Sequence, residues 1–101
     1  LIPGHENGAR IVMAVFDSLL SQGINPDVVT CTLAIKAMGD PNSDPSSWKL
    51  AVRFLEQLKS DSRLPDPNEY SYSAAIVACA RCHEYTMALE LLKEMRNGVS
   101  N

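Results

Sequence analysis

Apolar residues recur along this chain at helical spacing. Ala51, Phe54, Leu55 and Leu58 fall on one face of a helix, as do Met87, Ala88, Leu91, Leu92 and Met95. Val12, Val15, Phe16 and Leu19 repeat the same phrase earlier in the chain. Two further apolar runs follow helix-start signals. Pro26-Asp27 precedes one and Pro67-Asn68 the other, and a short polar side chain there can accept from the free amides of a first turn. Gly39-Asp40-Pro41 stops the first of these runs, because proline cannot continue a helix and restricts the residue before it. Asn97-Gly98 reads as a helix exit, since both residues tolerate left-handed backbone. The pattern predicts five helices, at about residues 9–21, 28–38, 47–60, 69–81 and 84–96, and no alternating strand.

The elements also repeat one another. Pro26, Thr30, Thr32, Ile35 and Ala37 map onto Pro67, Ser71, Ser73, Ile76 and Ala78 at a single offset of 41 residues. Val12, Val15, Phe16 and Leu19 map onto Ala51, Phe54, Leu55 and Leu58, and again onto Ala88, Leu91, Leu92 and Met95. Self-similarity at a few tens of residues marks a stacked repeat array, which presents a surface rather than a catalytic cleft. The expected fold is all-α, an α-solenoid of antiparallel helical hairpins in one helical-repeat segment covering residues 1–101. Residues 9–27 carry the second helix of an incomplete repeat. Residues 28–66 form a full repeat with an inserted loop at 39–47, and residues 67–98 a third repeat. Leu33, Ala37, Phe54, Leu55, Leu58, Ile76, Leu91 and Leu92 are the expected core. Pro65-Asp66 and Pro67-Asn68 both fit the junction before the third repeat, and the spacing does not separate them.

The wording of these repeats resembles the pentatricopeptide family. It lies in the Gly-x-x-Pro-Asp junction at Gly23 to Asp27, the Ser-Tyr-Ser opening at Ser71 to Ser73, and the Ala-Leu-Glu-Leu-Leu-Lys-Glu-Met run at Ala88 to Met95. The resemblance runs from Val12 to Met95 and is weakest in the middle unit, where the insertion departs from the pattern. Tetratricopeptide repeats fit less well, because their Trp and aromatic positions are unmatched. The resemblance implies single-stranded RNA binding in an organelle, mitochondrial matrix or plastid stroma, with one base read per repeat by a few side chains. Carried over residue by residue, Thr32 and Ser73 read bases from early in the first helix of each hairpin. Asp27, Asn68 or Asp66 close the repeats, and Val29 and Tyr70 flank the base. The pairing of Thr32 with Asn68 or Asp66 then suits a purine. Lys36 and Arg81 are the cations on the helices expected to line the groove.

Charge and length pull the other way. The 101 residues hold 9 Lys and Arg against 12 Asp and Glu, a net charge of −3, whereas phosphate binding supplies most nucleic-acid affinity. Some two and a half hairpins address only about two bases, at ~1–3 kcal/mol each. Asp27 and Asn68 are also ordinary helix caps. The opening Leu1-Ile2-Pro3-Gly4 reads as neither signal nor transit peptide, and the incomplete first repeat suggests a segment of a longer protein. No apolar run is long enough to span a membrane. A second function therefore stands beside the first, a non-catalytic helical-repeat scaffold that stabilises a large organellar assembly, a ribosome or a membrane complex, through contacts with its other proteins.

Three cysteines complete the candidate chemistry. Cys79-Ala80-Arg81-Cys82-His83 spells C-x-x-C-H, the attachment motif of c-type haem. It also lies where the repeat places a core residue, Cys79 matching Met38, so buried reduced thiols and no haem are expected. A four-ligand zinc site lacks ligands, and an odd cysteine count without a secretory signal argues against a disulfide framework. His5 and His83 have no catalytic partners in the sequence, and there is no nucleophile elbow or phosphate loop. No enzymatic activity, metal or cofactor is expected.

Overall fold

The computed structural model describes residues 8–40 and 45–99. They form five α-helices: α1 (Gly8–Ser21), α2 (Val28–Met38), α3 (Trp48–Ser60), α4 (Glu69–Arg81) and α5 (Tyr85–Glu94). There is no strand among the described residues. The fold is thus all-α. Residues 41–44 of the expected insert lie outside the described residues, as do His5 and the chain's first residues.

Local chemistry sets each boundary. α2 starts where Asp27 takes extended backbone and its carboxylate accepts from the Thr30 amide at 2.8 Å. α4 starts at Asn68 with a complete capping box. The ambiguity between the two Pro-containing pairs resolves here: Pro67-Asn68 is the structural counterpart of Pro26-Asp27, and Asp66 stands exposed in the preceding loop. α1 and α4 close alike. After α1, Gly23 sits at φ 80° and the Ile24 amide donates to the Leu19 carbonyl. After α4, His83 sits at φ 63° and the Glu84 amide donates to the Cys79 carbonyl. Both are six-to-one bonds that use a left-handed residue to satisfy the last carbonyls.

The exit expected at Asn97-Gly98 does not form that way. α5 ends at Glu94 and passes into one π-helical turn, Met95–Val99, in which Gly98 keeps a negative φ. The wider turn holds Met95 partly buried against the core while the backbone leans on α4.

α3 forms the floor of the molecule. It packs on both α2 and α4, and Ala51, Phe54, Leu55 and Leu58 are all buried as their spacing predicts. α1 leans on α2 and reaches α3 through Phe16, whose ring meets that of Phe54 edge-on at 5.0 Å. α5 packs on α4 and is tied to α3 by the Lys59–Glu94 ion pair. α2 and α4 lie against each other. From them Cys31, Ala34, Ile35, Met38, Tyr72, Ala75 and Cys79 enter the core.

Four expected core residues are displaced from it. Leu33 is 58% exposed, Ala37 is exposed, Leu92 is 38% exposed and Ile76 is half-buried. Leu33 and Ala37 lie four apart on a face of α2 that no described helix covers, whereas Cys31, Ala34, Ile35 and Met38 face α3 and α4.

Candidate functional site

The trough between α2 and α4 gathers most of the side chains singled out in the sequence. Its larger hollow, about 470 Å³, is bounded by Thr32 and Lys36 of α2 and by Tyr70, Ser73, Val77 and Arg81 of α4. A smaller hollow of about 230 Å³ continues it past Val28, Val29 and Leu33 to Asn68, sharing Thr32, Lys36 and Tyr70 with the first. Both hollows are open to solvent along one side. Tyr70 is 70% exposed and Val29 63% exposed, so an aromatic ring and a branched aliphatic side chain stand free on this face. Asp27 and Asp66 line neither hollow.

Glycine and alanine make the trough's floor. A Cβ placed on Gly39 would lie 2.3 Å from the Ala78 Cβ, so the C-terminal end of α2 reaches α4 only because residue 39 has no side chain. At the other end the helices meet through hydroxyls. Thr32 Oγ1 donates to the Val28 carbonyl at 2.8 Å and lies 3.3 Å from Ser71 Oγ. Ser71 is fully buried. Its hydroxyl lies 3.0 Å from Asn68 Oδ1 and accepts the Asn68 amide at 3.1 Å. Asn68 Oδ1 also accepts the amides of Tyr70 and Ser71, each at 3.0 Å. Thr32 is therefore half-buried and engaged by other protein groups.

Charge is distributed unevenly. Lys36 and Arg81 line the trough, and among the described residues no carboxylate does. Each sits in the last turn of its helix, where the dipole also favours a cation. Several carboxylates lie close by but outside both linings: Asp27 caps α2 and Glu69 opens α4, while Asp61 follows α3, Glu56 lies on α3, and Glu90 and Glu94 lie on α5. The Thr30 amide, bonded to Asp27, holds that carboxyl below the usual carboxylate range. Burial pushes the Cys31 and Cys79 thiols up to about 11, so both are protonated at neutral pH.

The C-x-x-C-H side chains have separate partners. Cys79 is buried in α4, Cys82 Sγ lies 3.8 Å from Ser47 Oγ, and the exposed His83 ring is 2.9 Å from the Tyr85 hydroxyl. No cluster of three or more His, Cys, Asp or Glu side chains among the described residues could hold a metal. No described helix is long and apolar enough to cross a membrane.

Three residues of this region, Ser71, Gly39 and Val77, were not singled out as site residues in the sequence, although Gly39 was read as a helix stop and Ser71 as a repeat position. The Asn68-x-x-Ser71 spacing is a capping-box signal and could have marked Ser71. Nothing local marks Gly39 as a point of helix contact or Val77 as a lining residue, because both roles depend on how α2 meets α4. In comparisons with known proteins, no family model, no curated protein and no solved structure matches this chain.

Proposed function

We propose that this chain is a pentatricopeptide-type segment, a solenoid of antiparallel hairpins, that binds single-stranded RNA along the α2–α4 trough. The observation that carries the reading is the composition of that trough. It combines two cations, an exposed aromatic ring and small hydroxyls, with no carboxylate among the described residues, in a chain that is acidic overall. Single-stranded nucleic acid asks for a basic track with a stacking platform. In this reading Tyr70 and Val29 flank a base, Thr32 and Asn68 touch its edge, and Lys36 and Arg81 take phosphates. Ser73 would play the part of Thr32 in the following unit. The organellar setting, mitochondrial or plastid, comes from the sequence resemblance alone.

A second reading has its own observation. Thr30, Leu33 and Ala37 on α2, and Ile11 and Val15 on α1, are exposed. Those bare faces favour a scaffold that packs against other proteins of a large complex.

Fluorescence-anisotropy titration with short single-stranded RNAs separates the two. The RNA reading expects binding that weakens with salt, at a slope near −1.4 for two neutralised phosphates on a single strand. It expects Tyr70→Ala to lose ~1–3 kcal/mol of binding, with the melting temperature unchanged. It also expects Lys36→Ala with Arg81→Ala to flatten the salt slope. RNA binding that ignores all three substitutions, or no binding, rejects it and leaves the scaffold.

A further inference from the structure

Ser71 takes no part in the trough's lining, yet it touches both side chains assigned above to one base. We infer that Ser71 is a positioning residue that orients Thr32 and Asn68 together, so that they offer a ligand a fixed acceptor–donor pair. The inference rests on the proposed RNA-binding role of the trough and deepens it.

The proton count carries the argument. Asn68 Oδ1 accepts two backbone amides, which identifies that atom as the oxygen and orients the amide group. The Ser71 hydroxyl lies against the same oxygen at 3.0 Å and reinforces that orientation. What Asn68 can offer the smaller hollow, which it lines, is therefore its Nδ2, a donor. Thr32 has one hydroxyl proton. Two acceptors inside the protein compete for it, the Val28 carbonyl at 2.8 Å and Ser71 Oγ at 3.3 Å. With either partner the proton stays internal, and Thr32 faces the hollow with lone pairs. Ser71 itself is buried and accepts the Asn68 amide, so its own proton has two destinations, Asn68 Oδ1 and Thr32 Oγ1. One buried hydroxyl thus links the two groups, on different helices.

The pair asks for a ligand edge with a donor next to an acceptor, as amide and amidine edges of nucleobases have. An edge made only of acceptors, such as a phosphate or carboxylate, leaves Thr32 without a proton. The anion would be held by Lys36 and Arg81 instead, and the base by the Thr32–Asn68 pair.

The test uses the intact chain and two variants, Ser71→Ala and Ser71→Cys. The second nearly conserves volume and covers the case in which the first fails to fold. Four short single-stranded RNAs differing at one central base are titrated against each protein, with melting temperatures measured in parallel. The inference expects the parent to separate the best base from the worst by about tenfold, the worth of one hydrogen bond, and the variants by about twofold or less. A nitrogen-resolved NMR spectrum supplies a readout without RNA: the Asn68 side-chain amide signals should shift and exchange faster in the variants. If the parent binds no RNA, the proposed function and this inference fall together. If it binds with a preference that both variants keep, or if the Asn68 signals do not move, this inference alone falls.

Discussion

α2 and α4 are two versions of one phrase, yet the same positions meet different surroundings. Ser71, Ala74 and Ala78 of α4 are buried, and their counterparts Thr30, Leu33 and Ala37 of α2 are exposed. Cys31, Ala34 and Met38 are buried just as Tyr72, Ala75 and Cys79 are. The positions that agree face α3 or the neighbouring core, which both helices share. Ser71, Ala74 and Ala78 differ from their counterparts because α4 has α2 beside it there and α2 has no described helix; Ile35, buried where its counterpart Ile76 is half-buried, differs in the opposite sense. Burial in such a molecule belongs to the junction between units rather than to the unit, as expected where each repeat is stabilised by its nearest neighbours.

The largest test of that contrast is steric. Ala78→Leu should cost ~1–3 kcal/mol, because its side chain must displace the close-packed end of α2 at Gly39. Ala37→Leu, at the matching position on bare α2, should change stability by no more than ~0.5 kcal/mol. Urea denaturation of both variants measures the gap, and equal losses would erase the distinction.

The caps give a smaller difference. Asn68→Ala removes an oxygen that receives two amides and a hydroxyl, and should cost near ~2 kcal/mol, the upper end for a cap. Asp27→Ala removes the acceptor of one amide on an exposed cap and should cost less than Asn68→Ala does. Thermal melts of the two variants against the parent check the order.

The smallest effect is one of pH. Asp27 titrates and Asn68 does not. Because the Thr30 amide lowers the folded-state pKa of Asp27, its contribution is complete above the ordinary value of 3.8 and fades as pH falls through the lowered folded value. Amide exchange followed by NMR in acid should therefore show the Thr30 amide losing protection before the Ser71 amide does. Simultaneous loss would mean that Asp27 is not the group responsible.

The five helices were legible because caps and stops are local. Pro26-Asp27, Pro67-Asn68 and the Gly39-Asp40 stop act within a turn of the residues they control. Phe54, Leu55, Leu58 and Leu91 were legible because α3 and α5 carry clear one-sided patterns. Leu33 and Ala37 were misjudged because α2 is apolar on nearly every side, so periodicity selects no face and only the neighbours decide. That Thr32 and Ser73, and Val29 and Tyr70, occupy matching places on the two helices follows from the 41-residue offset, whereas Lys36 and Arg81 are not offset partners and were legible only as cations on those helices. The engagement of Thr32 by Ser71 was not legible, because it depends on the distance between two helices.

That distance is fixed at two places. Near their C-terminal ends the helices touch through Gly39 and Ala78, and near the α4 cap they meet through Thr32 and Ser71. Two pins along one seam leave a pair of rods little freedom to open or shear. The slot is thus already set before anything enters it. In the proposed reading the protein gives up little entropy on capture, and the ordering cost falls on the guest. Discrimination in such a slot comes from how well a guest fits a rigid gauge, with no closing motion to wait for.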